Sequence, residues 1–441
     1  MTSGSVLPPW AQPGVTAVSV ARAFLDALRS PATLVLPTAD GEAGFPRTRG
    51  GSRRRGQSAA PCPSIITAAP PPADLVAYHR ALGVGSIRFF TPAAPSWSKP
   101  LAQCVLEDAE LMARLHADAG LSRIFVAFKD ATSARLIERL GLAPAWCAPS
   151  PEAYASANDK LGFARAAAEF GFDALPLEPA SDLDVLGRAF ERLSGVYGDG
   201  CVVRLRRGAA GHGIHRARTR PQAERAWRRL RRRGDVLVAP YLPPARVVRN
   251  VAAHGIVTEG RFAPIVLSEQ LVRRGWFVGG RVGACWDAEE VATIRGGLDR
   301  IAHWLAALGY VDAPAGVDGF LVREAGRLRF LALDPNIRLT ATMLPWATVA
   351  TLAEAAGRAF AWQFEHGSVL GPALSLARLR QRLGADLLEP HALDRGGILP
   401  TTIVGARLGV GRSGLSVILV GTDEAHLAHL EARLRSSGFR R

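Results

Sequence analysis

The sequence predicts a parallel α/β domain at its N-terminal end and α+β structure after it. Three observations carry that reading. Strand-like runs alternate with helical runs over residues 1–150, as when crossover helices join parallel strands. Extended segments in the middle follow one another through short turns, as antiparallel pairs do. Hydrophobic residues make up 48% of the 441 and charged residues 21%, a globular composition long enough for two or three domains.

In the first domain the strands are Thr33 to Leu36, Ile87 to Thr91 and Ile124 to Phe128. Helices are expected from Leu106 to Ala117 and from Ala131 to Leu140, the second stopped by Gly141. Residues 41–72 are rich in Gly, Pro, Arg, Ser and Ala and read as a flexible loop. The Pro-rich joint Ala148 to Pro151 marks a boundary near residue 150. The middle region, 151–365, opens with a helix capped by Asn158 or Asp159 and closed by Gly171. Strand Cys201 to Leu205 leads into a glycine-bearing loop, and strand Val236 to Ala239 follows a basic helix opened by Pro221. Val247 to Val257 and Phe262 to Gln270 read as an antiparallel pair joined through Glu259-Gly260. Ile294, Leu298, Ile301, Leu305 and Leu308 make one helical stripe in a helix starting at Asp287. A hairpin runs from Gly319 to Leu333 and turns at Glu324 to Gly326. The last part, 366–441, has strands near Ile403 and Val417 and a helix from Asp423 to Leu434, a small α+β domain.

Several function classes are disfavoured at once. No run approaches 18 apolar residues, so no membrane helix is expected. Met1 to Pro13 lacks a basic n-region and an apolar core, so a cytoplasmic protein is the default. Cys62, Cys104, Cys147, Cys201 and Cys285 are odd in number and widely spaced, which supports neither a disulfide framework nor a zinc site. No Gly-x-Gly-x-x-Gly follows a strand, so no dinucleotide fingerprint is present. The net charge of +15 comes from arginine in a chain also rich in Ala, Gly and Pro, which coding bias explains without a polyanion partner. Nucleic-acid binding is the lesser alternative, because its aromatic interleaving is missing.

The chemistry-bearing residues gather in the middle region. Lys160 is one of three lysines, with Lys99 and Lys129, in a chain that otherwise writes arginine. Arg204 ends a strand and can place paired donors on a phosphate. Gly208, Gly211, His212 and Gly213 form a loop whose backbone N–H groups can approach phosphate oxygens without a Cβ in the way. Asp334 and Asn336 lie two apart on a strand and so face one way, and Asp318 on the partner strand can join them. Two carboxylates and an amide oxygen are hard ligands that suit Mg²⁺. Arg338 continues the run and can neutralise charge on a transferred phosphoryl group. Glu269, Arg249 and Arg281 are candidates for meeting a substrate amine or carboxylate if their strands border the cleft.

The order of these pieces, from Lys160 through Val202-Val203-Arg204 and the glycine loop to Asp318 and Asp334-x-Asn336-x-Arg338, resembles the ATP-grasp superfamily over about Asn158 to Leu344. The resemblance implies a two-lobed fold with ATP between the lobes and a pre-ATP-grasp domain before it. Lys160, Arg204 and the loop would bind phosphates, Tyr241 and Leu242 would bind adenine through hinge backbone groups, and Asp318, Asp334 and Asn336 would hold Mg²⁺. It further implies a ligase that activates a carboxylate as an acyl phosphate and joins it to an amine. The partners would be a small-molecule acid and an amino-acid or peptide amine, with a homodimer as a candidate assembly. The domain order is similar to the pheganomycin-type peptide ligases, which implies peptide-bond formation in natural-product (antibiotic) biosynthesis. This chain departs from the superfamily pattern at four points. Arg204 stands where a second phosphate lysine is usual. Ala239 stands where a hinge acid is usual. No acid lies near Ala245-Arg246 for the ribose, and Asp334 replaces a longer glutamate. A nucleotide-binding protein without turnover is therefore the main alternative.

Overall fold

A computed structural model describes residues 33–36, 64–68, 70–83, 88–95, 99–145, 147–208, 213–273, 276–283, 286–370, 374–404 and 412–440. Gly211, His212, Cys62, Cys285 and most of the expected loop 41–72 lie outside them.

Five parallel strands open the fold: β1 (Thr33–Leu36), β2 (Ser64–Ile66), β3 (Arg88–Phe90), β4 (Arg123–Val126) and β5 (Ala143–Pro144), in the order β3-β2-β1-β4-β5. The parallel α/β expectation is met. The expected loop is too long, however: Ser64–Ile66 is a buried strand between β1 and β3, because Ile65 and Ile66 each need a partner layer. The expected helix Leu106 to Ala117 is two helices, Leu101–Glu107 and Ala109–Ala117. They break at Asp108, which is extended and accepts from the Leu111 N–H as the cap of the second.

A small lobe follows, with β6 (Glu178–Pro179), β7 (Cys201–Leu205), β8 (Ile214–Ala217) and β9 (Val236–Pro240) in the order β6-β9-β7-β8. Helices Leu183–Tyr197 and Arg220–Leu230 cover it, and Leu186, Phe190, Val203, Trp227 and Val238 fill its core.

The large sheet is antiparallel. Its strands are β10 (Val247–Thr258), β11 (Arg261–Arg273), β12 (Trp276–Val282), β13 (Ala313–Glu324), β14 (Arg327–Asn336), β15 (Ala361–Leu370), β16 (Gly397–Val404) and β17 (Arg412–Gly421), with β18 (Phe439–Arg440) beside β15. The order is β14-β13-β10-β11-β12-β15-β17-β16. Helix Ala288–Ala307 starts in a capping box formed by Asp287 and Glu290 and buries Ile294, Leu298, Ile301 and Leu305 against one face. Strand Ala361–Leu370 crosses the expected boundary at 365/366, and the C-terminal strands extend the large sheet. The N-terminal domain shares a core with this end of the molecule. Val35, Ile65 and Phe125 pack in one cluster with Trp346, Leu352, Val417 and Leu419. Among the described residues no helix is long and apolar enough to cross a membrane.

Candidate active site

The β13–β14 hairpin sets Asp318 directly opposite Asp334 and Gly316 opposite Asn336. Directly opposed residues share a face, so the two carboxylates and the amide converge as their spacing implies. A β-bulge at Asp318/Gly319 adds a local kink beside them. Asn336 Nδ2 donates to Asp318 Oδ2 at 2.6 Å. β14 ends at Asn336, and the Arg338 N–H donates to the Asn336 carbonyl at 2.8 Å. Arg338 therefore rejoins the cluster through a turn rather than along the strand. Its Nη2 donates to Asn336 Oδ1 at 2.6 Å.

Two cations meet these acids, one from a helix packed on the large sheet and one from the small lobe. Lys160 is the first residue of helix Lys160–Phe170, and Arg204 projects from β7. They are only 4% and 8% exposed. Lys160 Nζ lies 3.0 Å from Asp334 Oδ1 and donates to the Gly208 carbonyl at 2.9 Å. Arg204 Nη2 donates to Asp334 Oδ2 at 2.6 Å. The six residues singled out for metal and phosphate are thus one cluster, with Gly208 of the glycine loop touching it.

The electrostatics follow from burial and pairing. Burial works to raise the Asp334 pKa, but Arg204 and Lys160 more than reverse it and hold the carboxyl below its usual range. Asp318 feels the Arg338 charge, but that charge does not offset its burial. Burial first, and then the Asp334 charge, push it up to about 7, against hydrogen bonds from Gln270 and Asn336. Lys160 is pulled below the ordinary lysine value by burial, while Asp334 resists. Adjacent carboxyls are thereby driven apart, a pattern found at functional sites.

The donor set can be tested against the groups that the resemblance implies. Arg204 Nε is buried without a hydrogen-bond partner, an N–H aimed at no acceptor. Asp334 Oδ1 is buried with Lys160 Nζ beside it at 3.0 Å. An unpartnered donor beside a carboxylate, in a set with a second carboxylate and an amide oxygen, fits a phosphate oxygen and a hard cation, respectively. Among the described residues no three His, Cys, Asp or Glu side chains gather as a metal site. The set is two carboxylates and one amide.

At the hinge the Tyr241 N–H donates to the Gly200 carbonyl at 2.9 Å, and the Arg216 guanidinium lies 3.6 Å over the Tyr241 ring. Leu242 is buried in an apolar seam with Leu175, Ala239, Val322 and Leu331. Gly213 has φ +76°, and a Cβ there would fall 2.7 Å from Leu205 Cδ1, so both backbone and space call for glycine.

The expected substrate residues need correction. Glu269 opposes Val251 and Arg281, whereas Ser268 and Asp318 both oppose Ala252. Glu269, Arg249 and Arg281 therefore occupy the opposite face of the sheet from Asp318. Arg249 Nε donates to Glu290 Oε1 at 3.0 Å, and Glu269 lies 3.8 Å from Arg249. Arg281 donates to Gln363 at 2.7 Å and to Glu431 at 2.8 Å. These three tie helices onto the sheet and do not reach the acid–amide set.

Other residues reach it instead. Gln270 bonds Asp318. Asn158 Oδ1 accepts from Arg338 Nη1 at 3.1 Å, and Phe128 of the N-terminal domain lies under the Arg338 guanidinium at 5.2 Å. Gln270 stands two residues from Ser268 on the Asp318 face, a signal that alternation could have supplied. Asn158 sits two before Lys160 and reads as a helix cap.

No protein-family model and no curated protein matches this sequence. Solved structures do. The biotin carboxylase domain of 2-oxoglutarate carboxylase from Hydrogenobacter thermophilus, a dimer complexed with MgADP, ADP and bicarbonate, has TM-score 0.56 at 12% identity over 93% of this chain and 90% of that one. The N5-carboxyaminoimidazole ribonucleotide synthetase of Thermus thermophilus has TM-score 0.53 at 16% identity over 92% and 98%. An L-amino acid ligase from Bacillus licheniformis has TM-score 0.54 at 12% identity over 93% and 97%. Each likeness spans nearly the whole of both chains and is a likeness of fold.

Proposed function

We propose that this chain, whose fold is the ATP-grasp fold of those enzymes, is an ATP-dependent carboxylate–amine ligase. One observation carries the reading: two buried cations, Lys160 and Arg204, converge on Asp334 beside Asp318, Asn336 and Arg338. A triphosphate in this cleft would take Lys160 Nζ and the unpartnered Arg204 N–H as donors. Gly208 and Gly213, with Gly211 and His212 between them in sequence, would offer backbone groups to its oxygens. Tyr241 and Leu242 would present the hinge to adenine. Asp318, Asp334 and Asn336 would hold Mg²⁺, which neutralises phosphate charge when bound.

The reaction follows from those roles. A substrate carboxylate oxygen attacks the γ-phosphorus of ATP. The bond to the β,γ-bridging oxygen breaks, and ADP leaves with its electron pair. The substrate amine then adds to the acyl carbon, the acyl C–O bond breaks, phosphate departs, and the nitrogen loses a proton. Lys160, Arg204 and Arg338 counter the charge on the transferred group, and no protein nucleophile is required.

The finer reading is peptide-bond formation between small acids and amino-acid or peptide amines in natural-product assembly, as in the pheganomycin-type ligases. The fold shared with an L-amino acid ligase supports it. A cytoplasmic homodimer, with a pre-ATP-grasp domain over 1–150 ahead of the ATP-grasp core, belongs to the same proposal. Buried Ala239 favours a second reading, nucleotide binding without turnover, because it offers adenine no side-chain acceptor. Incubation with ATP, MgCl₂ and pooled amino acids and short peptides separates the two. The ligase reading expects ADP release and a new amide mass. ATP binding without either product supports the second reading, and no ATP binding overturns both.

A further inference from the structure

We propose that Asn158-Asp159-Lys160 is a three-residue node that registers both halves of the cleft, with Asn158 and Asp159 as positioning residues. The inference rests on the ligase reading above and deepens it. Each of the three consecutive side chains reaches a different element. Lys160 contacts Asp334 on β14 and the Gly208 carbonyl. Asp159 takes Arg206, just past β7, in a two-point grip: Nε to Oδ1 at 2.7 Å and Nη2 to Oδ2 at 2.5 Å. Asn158 pairs with both backbone groups of Ile337, accepting from its N–H at 3.0 Å and donating to its carbonyl at 3.1 Å. The same Oδ1 accepts from Arg338 Nη1, and Nδ2 also donates to the Tyr154 carbonyl at 2.9 Å.

The Asn158 amide thus substitutes for a neighbouring strand at the point where β14 ends. Ile337 is fully buried, and its carbonyl also accepts from the Tyr310 hydroxyl at 3.0 Å, so the N–H is the group that loss of Asn158 would leave unpaired at a desolvation cost. Ile337 stands between Asn336 and Arg338, so holding it fixes where both side chains begin. Asp159 does the same for the glycine loop. Its partner Arg206 also donates its N–H to the Asp235 carbonyl at 2.9 Å, so the loop entrance is held from the residue before β9 as well. Hydrogen bonding to Arg206 holds the Asp159 carboxyl below its usual pKa, as expected of an ionised partner. Asp159 also accepts from the Leu161 N–H at 3.3 Å, which aims the start of the Lys160 helix. Lys160, the loop entrance and Arg338 therefore share one origin. In a site of this kind a misplacement of about 1 Å can cost on the order of 100-fold in rate.

The test is a pair of double-mutant cycles on the full chain, read as the rate of ADP formation at saturating MgATP and as the MgATP dissociation constant. Asn158→Ala should lower the rate roughly 10- to 100-fold with a change in affinity within about 3-fold, because it acts through Arg338. Asp159→Ala should instead weaken MgATP binding about 10-fold. In an Arg338→Ala background Asn158→Ala should cost at least about 3-fold less than it does alone, the remainder passing through Asn336, and Asp159→Ala should cost less than about 2-fold more in Arg206→Ala. Asn158→Asp keeps the acceptor and loses the donor, so it should retain more rate than Asn158→Ala. It also serves if the alanine variant unfolds. Additive losses in both cycles overturn the node, since a general loss of stability would not depend on Arg338 or Arg206. A wild-type chain that binds no MgATP overturns the ligase reading itself.

Discussion

Replacing Asp334 with asparagine tests the cleft most directly. The carboxylate lies 3.0 Å from Lys160 Nζ and 2.6 Å from Arg204 Nη2, and both cations are buried. At an effective dielectric constant of about 20, unit charges about 3 Å apart attract by roughly 5 kcal/mol. Desolvation of the three groups offsets much of that, but removing one partner leaves two like charges buried, which costs about 3–5 kcal/mol. Asparagine keeps the shape and one acceptor, so a loss of about 3 kcal/mol in urea unfolding at pH 7 is expected. The deficit also has a pH sign. Burial already lowers the Lys160 pKa, and without Asp334 it falls further. The unfolded chain then holds a proton that the folded chain sheds, so the variant should regain stability as pH rises above neutrality. ADP formation should fall below detection. An unchanged urea midpoint would refute the ion-pair argument, and ordinary ADP formation would refute the metal and phosphate assignment.

Three further outcomes are expected. Lys160→Ala should weaken MgATP binding about 10-fold or more by calorimetry, and unchanged affinity would remove Lys160 from the site. Burial lowers the pKa of His254 to about 3 and of His79 and His366 to about 4, so the folded chain stays neutral there while the unfolded chain takes protons below about 6.5. Their stabilisation is present above that pH and is lost as pH falls. Asp318, raised to about 7, opposes them with one proton. The net is about two protons, or about 2.7 kcal/mol per pH unit between about pH 6 and 4.5; flat stability over that window would contradict the burial of these rings. Gly279→Ala should destabilise by about 3 kcal/mol or more, because φ is +153° and the new Cβ would meet the Phe364 carbonyl oxygen at 2.0 Å; an unchanged melting curve would refute this.

The Asp334–Arg338 run was legible because its chemistry is local: alternation along one strand aims acid and amide together, and Asp318 lies opposite on the same hairpin. Arg249, Glu269 and Arg281 were misplaced for a related reason. Alternation says that neighbours face opposite ways, but it does not say which face carries the cleft. The helix that covers one face, through Glu290 and Ile294, decides that. Ser64–Ile66 was lost in a Pro- and Ser-rich stretch because a three-residue buried strand has no period to read. The C-terminal strands joined the large sheet through a β12–β15 pairing that no local pattern announces.

By itself the sequence determined the parallel α/β opening, the hairpin of acids and the rare lysine that meets them, because each depends on spacing within one or two adjacent elements. Only the tertiary structure decided that Asn158, Asp159 and Phe128 border that centre and that three charged side chains belong to the far face. Those outcomes depend on contacts between segments distant in the chain, where packing, not period, chooses the neighbour.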